Sequence, residues 1–254
     1  MTARVLGSYD EAVADTPDGA VVLVGGFGMA GMPVELIDAL IRQGATDLTV
    51  VSNNAGNGDT GLAALLAAKR VRKVVCSFPR QSDSWVFDGL YRAGEIELEV
   101  VPQGNLAERM RAAGAGIGAF YSPTGVGTPL AEGKETREFD GRGHVLETAL
   151  KAEIGLEKAH KADRFGNLTF ENLARNFNPL IAAAATRTIV EADEIVGETL
   201  DRLEELGGSG TLIVMSDHGF TSWRRSFSLN SWLEQNEYLT VLDRNRRDLD
   251  FLQN

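Results

Sequence analysis

Gly25-Gly26-Phe27-Gly28-Met29-Ala30-Gly31-Met32-Pro33 follows the apolar run Ala20–Val24 and precedes a segment in which Leu36, Ile37, Leu40 and Ile41 share one helical face. A short apolar strand, a glycine turn and a helix opened by proline form the first half of a β-α-β unit. Glycines in such a turn let the chain bend sharply, and their backbone amides can approach an anion at the helix N-terminus. Gly26, Gly28 and Gly31 also satisfy G-x-G-x-x-G, a pattern that cradles dinucleotide phosphates. Such a site needs an acidic residue after the second strand to hold the ribose. The stretch in that place is Val50-Val51-Ser52-Asn53-Asn54, and no Asp or Glu follows until Asp59, which disfavours a redox Rossmann site. A glycine turn that merely packs helix on strand stays open from this segment alone.

Working outward, Leu48–Ser52 repeats the strand signal and Leu62–Ala68 the helix signal, and further strands are expected at Val71–Ser77 and Ile96–Val101. Asn105, with Glu108 three residues on, resembles a capping box for a helix through Arg111. Repeated units of this length predict an α/β fold, an open and mostly parallel sheet with helices on both faces. Sites in such sheets lie beyond the carboxyl ends of the strands. Residues 123–145 are glycine-rich and polar and read as loop with short strands; Ala162–Asn167 reads as a turn and Thr188–Val196 as another apolar strand.

The chain of 254 residues carries 25 Lys plus Arg against 36 Asp plus Glu, a net charge of −11. That balance repels nucleic acid and anionic membranes, so neither is expected as a partner. Cys76 is the only cysteine, excluding an intrachain disulfide and a thiolate metal cage, and its setting Val74-Val75-Cys76-Ser77-Phe78 reads as buried strand. Met1–Ser8 has no apolar signal stretch and no run is long enough to span a bilayer, which points to the cytoplasm. Composition changes near residue 197. The first 196 residues hold 29 alanines and the last 58 none, and all six lysines precede the change. Residues 1–196 therefore read as one domain and 197–254 as an atypical α/β segment, fused or transplanted.

The stretch Asp18–Pro33 resembles the signature of class I CoA-transferase α subunits. Further segments resemble the same family in order: Ser52-Asn53-Asn54-Ala55-Gly56, Pro102–Arg109, Ala119–Thr128 and Ala174-Arg175-Asn176-Phe177-Asn178. Ser77-Phe78-Pro79-Arg80-Gln81-Ser82-Asp83-Ser84 is similar to the 3-oxoadipate branch, and the resemblance covers roughly residues 8–196. It implies exchange of CoA between a thioester, succinyl-CoA, and a 3-oxoacid such as 3-oxoadipate, through a glutamyl-CoA intermediate. It places the nucleophilic glutamate in a Ser-Glu-Asn-Gly motif of a partner polypeptide, the CoA-transferase β subunit. This chain lacks that motif; Thr169-Phe170-Glu171-Asn172 matches it only superficially, and Glu171 is expected to face solvent. The chain alone should then be silent. No cofactor or metal is implied, CoA entering as part of the substrate, and His144 and His160 show no metal or triad spacing.

By the same resemblance, Gln103 is the direct participant, an amide that can donate to the thioester oxyanion. Asn53 and Asn54 are expected to shape the cleft, and the loop Gly25, Gly26, Phe27, Gly28, Met29, Ala30 and Gly31 to face the acyl group. Arg80–Ser84 and Lys134 are candidates to meet a dicarboxylate. In the tail, Thr211–Phe220 looks like a strand ending in Asp217 and His218, and with Asn230-Ser231-Trp232-Leu233 is similar to alkaline-phosphatase-superfamily phosphodiesterases. Two ligands are too few for a catalytic metal site. A metal-dependent phosphodiesterase and a non-catalytic assembly protein remain as alternatives.

Overall fold

The computed structural model describes residues 4–163, 165–196 and 213–216, all within one compact unit, Met1–Phe220. The domain boundary expected at 196/197 and the pair Asp217 and His218 involve positions outside the described residues. The chain opens with strand β1 (Arg4–Leu6) and helix α1 (Tyr9–Val13), whose N-cap Ser8 accepts from the Glu11 amide at 3.1 Å.

The apolar runs then become strands β2 (Val21–Val24), β3 (Leu48–Val51), β4 (Val71–Cys76) and β5 (Glu97–Val100), paired in parallel in that order. Between them run α2 (Val34–Gln43), α3 (Leu62–Ala67) and α4 (Trp85–Arg92), and α5 (Gln103–Gly114) follows β5. Alternation along each strand sorts the core into two layers. Val22, Val24, Val50 and Val74 pack with Leu36, Ile37 and Leu40 of α2, Leu65 of α3 and Phe87 of α4. Leu23, Val51 and Val75 point the other way, onto Leu106 and Met110 of α5. Helices therefore cover both faces, as the pattern predicts.

Residues 119–148 form a separate antiparallel sheet of β6 (Ala119–Ser122), β7 (Thr136–Phe139) and β8 (Arg142–Thr148), with β8 in the middle. Next comes β9 (Ala152–Asp163), a 12-residue strand parallel to both β2 and a later strand. Sequence periodicity did not reveal it, because Glu153, Glu157, Lys158 and Lys161 interrupt its apolar residues. The turn expected at Ala162–Asn167 joins β9 to β10 (Leu168–Thr169), with Asp163 Oδ1 accepting from the amides of Phe165 and Asn167 at 2.9 Å each. Helix α6 (Asn178–Ala184) leads into β11 (Ala185–Val196), three residues longer at its start than expected. Within the apolar stretch 211–220, Ile213–Ser216 forms β12, which lies antiparallel between β11 and β1.

The capping box does not form. Helix α5 starts three residues earlier, after Pro102, and runs beyond Arg111. Asn105 is drawn inward instead: Ser122 Oγ donates to its Oδ1 at 2.7 Å and its Nδ2 donates to Glu147 at 3.1 Å. Among the described residues, no helix is long and apolar enough to cross a membrane.

Two buried ionisable groups lead to predictions. Cys76 is fully buried and burial pushes its thiol up to about 12. A thiol-selective reagent at pH 8 should leave the native protein unlabelled and modify one thiol per chain in denaturant; fast labelling of native protein would contradict this placement. Glu157 is 0% exposed, neither carboxylate oxygen has a partner among the described residues, and burial pushes its pKa well above the ordinary glutamate range. The folded state thus holds a proton that the unfolded chain releases, so this group makes stability fall as pH rises above the usual glutamate value. Glu157→Gln should flatten that slope in unfolding titrations; an unchanged slope would show that Glu157 does not cause it.

Candidate active site

The parallel strands end together, and the segments leaving β2, β3, β4 and β5 meet at that edge. The first is the glycine loop. It is folded back on itself by a reciprocal pair of bonds between Phe27 and Ala30, at 3.0 and 3.2 Å. Two asparagines ahead of and within α6 brace it. Asn176 Oδ1 accepts from the Gly26 amide at 3.1 Å while its Nδ2 donates to the Ala30 carbonyl at 2.9 Å. Asn178, fully buried, donates Nδ2 to the carbonyls of Gly31 and Ala174 and accepts at Oδ1 from the Lys158 amide.

This bracing requires glycine at two places. A Cβ on Gly25 would stand 1.8 Å from Asn178 Oδ1, an atom already held by hydrogen bonding. A Cβ on Gly31 would meet the Ala174 carbonyl at 2.6 Å, at a φ of +69° that L side chains avoid. Bracing also decides which amides are available to a ligand. Those of Gly25, Gly26, Phe27 and Ala30 bond to Leu156, Asn176, Ala30 and Phe27. Gly28, Met29 and Gly31 make no amide hydrogen bond among the described residues. Of these three, Gly28 and Met29 reach the surface, whereas Gly31 is buried.

Asn53, just beyond β3, is 3% exposed. Its carbonyl accepts from the amides of Ser77 and Phe78, and its Oδ1 lies 2.6 Å from Ser77 Oγ and 2.8 Å from Gln103 Nε2. The structure therefore joins two of the sequence candidates, 50 residues apart, in one polar chain. Gln103 itself is exposed at the first position of α5. Asn54 behaves differently. It is 0% exposed, and its Oδ1 accepts from the Gly56 amide at 2.9 Å. Its buried Nδ2 has no partner among the described residues.

The remaining candidates separate. Lys134 Nζ lies 2.7 Å from Glu147, whose side chain is 3% exposed, so this lysine is held by a buried carboxylate. Arg80 gives Nε to Asp88 at 2.6 Å and is otherwise exposed. His144 Nδ1 sits 2.8 Å from the Arg142 carbonyl, and Glu171 is solvent-exposed as expected. Among the described residues there is no group of three His, Cys, Asp or Glu side chains able to hold a metal. The groups tied together or left free at this edge are neutral: the amides of Gly28 and Met29 and the side chains of Asn53, Ser77 and Gln103, with the charged Arg80 and Asp83 exposed on the segment leaving β4. Asn176 and Asn178 were legible as part of a recurring segment, but their hold on a loop about 150 positions earlier was not.

Comparison with known proteins is consistent with this geometry. The protein-family profile described as Coenzyme A transferase matches residues 7–206. A 3-oxoadipate CoA-transferase subunit from Pseudomonas putida is 66% identical over 196 residues, 77% of this chain and 85% of that protein. A succinyl-CoA:3-ketoacid coenzyme A transferase subunit from Helicobacter pylori is 48% identical over 193 residues, 76% of this chain and 82% of that protein. Both relatives are thus named as one subunit of their enzyme. Glutaconate coenzyme A-transferase from Acidaminococcus fermentans, 19% identical, shares the fold at a TM-score of 0.67, covering 78% of this chain and 70% of that one. The phosphodiesterase resemblance of residues 197–254 gains no support from these proteins.

The glycine loop supplies a direct test. Gly31→Ala adds both a backbone clash and a left-handed φ, and should cost about 2–5 kcal/mol of stability, seen as a lowered denaturation midpoint. A variant as stable as the parent would mean that the Ala174–Gly31 contact is not as close as described.

Proposed function

The chain belongs to the coenzyme A transferase family, and from that premise we propose that it is the α subunit of an enzyme moving CoA from succinyl-CoA to a 3-oxoacid, 3-oxoadipate foremost. The observation that carries this reading is the cleft of neutral donors at the carboxyl ends of β2–β5, with Gln103 tied to Asn53 at 2.8 Å. Thioester exchange needs a carboxylate nucleophile and donors for the oxyanion. None of the groups joined through Asn53 is a carboxylate, which fits a glutamate arriving from the β subunit. Exposed Phe27, Met29, Phe78 and Leu173 around the glycine loop and the end of β4 give that partner an apolar face to cover.

In the proposed cycle the partner's glutamate attacks succinyl-CoA, forming a mixed anhydride and releasing CoA thiolate. The thiolate attacks the glutamyl carbonyl, giving glutamyl-CoA and free succinate. The acceptor carboxylate then attacks glutamyl-CoA and the same two steps run in reverse order, regenerating the glutamate. Each addition places negative charge on a carbonyl oxygen. Gln103 is the side-chain donor for that oxygen, oriented because Asn53 Oδ1 holds one of its amide hydrogens. The amides of Gly28 and Met29 face the acyl group. Neutral donors suit this role, because a fixed cation would also hold the departing carboxylates. The chemistry requires no metal or redox cofactor, and a cytoplasmic setting suits CoA substrates.

Co-purified with a cognate β subunit, the chain should transfer CoA from succinyl-CoA to 3-oxoadipate, and by itself it should not. Gln103→Ala in that complex should lower kcat by roughly 100- to 1,000-fold, the usual effect of removing one oxyanion donor. Turnover by the isolated chain would sink the two-subunit reading, and full activity of the variant would remove Gln103 from the mechanism.

A further inference from the structure

The segment leaving β4 is held more firmly than its surface position requires. Ser77 and Phe78 bond to the Asn53 carbonyl. Ser84, 6% exposed, accepts from the Gln81 amide at 2.7 Å and donates Oγ to the Gly56 carbonyl at 3.2 Å. The Asp83 amide donates to Asn57 Oδ1, and the Asp83 carbonyl accepts from the Gly58 amide, both at 2.9 Å. The backbone at Gln81 is thus fixed against the β3–α3 loop.

Its side chain is left unoccupied. Gln81 Nε2 reaches the tip of the glycine loop, 3.7 Å from where a Cβ on Gly28 would stand. The carboxamide makes no hydrogen bond among the described residues, although its own backbone is pinned. Beside it in the chain, Arg80 gives only Nε to Asp88, leaving the other four N–H groups of its guanidinium uncommitted. Lys134, the other cation that the sequence suggested for a dicarboxylate, is neutralised by Glu147 at 2.7 Å. A free carboxamide therefore lies beside Gly28 at the tip of the glycine loop, with a guanidinium on the adjacent residue.

We infer that Gln81 is the specificity-determining residue for the acceptor: its carboxamide donates to the far carboxylate of a dicarboxylic 3-oxoacid. The inference rests on the proposed transfer to 3-oxoacids. The carboxylate that receives CoA loses its charge during the reaction and needs neutral donors. The far carboxylate keeps its charge throughout and must be satisfied by donors elsewhere. A 3-oxoacid without that second carboxylate makes no use of Gln81.

The test compares 3-oxoadipate with 3-oxohexanoate, which has the same carbon chain but a methyl in place of the far carboxylate. Both are offered to the complex with the β subunit, with succinyl-CoA as donor. The wild-type complex should prefer 3-oxoadipate in kcat/KM. Gln81→Ala should reduce that preference roughly 10-fold or more, as expected for a lost hydrogen bond to a charged group. Gln81→Glu, which sets a carboxylate against the substrate's own, should reduce it further, and Gln81→Asn should retain part of it. A ratio unchanged in the Ala and Glu variants, or a wild-type complex that accepts both acids equally well, overturns the inference and leaves the transferase reading intact. A wild-type complex inactive toward every 3-oxoacid overturns the transferase reading instead, and this inference with it.

Discussion

The hydrogen bonds that Asn176 and Asn178 make to the glycine loop are the constraint on which the site depends. A nine-residue turn rich in glycine has many accessible conformations, and freezing each residue costs about 1–2 kcal/mol of conformational entropy. Here two side chains from about 150 residues downstream satisfy the amide of Gly26 and the carbonyls of Ala30 and Gly31. The loop is thereby held in one shape. Gly25 and Gly31 follow from that hold, since each lies too close to Asn178 or Ala174 to carry a Cβ. The choice of free amides follows as well, because the bonds that shape the loop occupy the others.

The same logic extends along the edge of the sheet. Asn53 is buried and receives hydrogen bonds from Ser77 and Gln103, so the ends of β3 and β4 and the start of α5 are tied through one carboxamide. A preorganised neutral donor acts without reorientation when charge develops, and that is the physical advantage of such a chain over mobile water. On the other side of α5, Asn105 ties the helix to the small sheet through Ser122 and Glu147, and Lys134 completes that buried cluster. The first turn of α5 is therefore fixed from two directions while Gln103 stays exposed.

Buried charge elsewhere is treated unevenly. Glu191 meets Lys158 at 2.8 Å and the Glu35 amide at 3.1 Å, so its carboxylate has donors even though burial raises its pKa above the ordinary value. Glu157, on the same central strand as Lys158, has none among the described residues, and desolvation pushes its pKa well above the ordinary value. An unpartnered buried acid lowers stability. Nothing in the structure explains why it is kept.

Much of the fold was legible without coordinates. Val21–Val24, Leu48–Val51 and Val71–Cys76 are short apolar runs spaced by one-sided helical segments, and local sterics with burial leave such a pattern few arrangements other than a parallel sheet covered on both faces. The glycine turn and the placing of a site beyond the strand ends came from the same local rules, and the kinship of the motifs pointed to Gln103 and Asn53. The rest depended on contacts between distant positions. β9 is a strand because β2 and β11 satisfy its backbone on both sides, which outweighs the charged residues along it. Asn105 is not a cap because Ser122 and Glu147, 17 and 42 residues away, draw it inward. Asn54 faces the interior while Asn53 joins Gln103, a difference invisible in two adjacent identical residues. Sequence determined where the chain would turn, since turning is governed by neighbouring residues. Only the tertiary structure decided which amides stay free for chemistry, since a hydrogen-bond donor is free only when no distant acceptor has been folded against it.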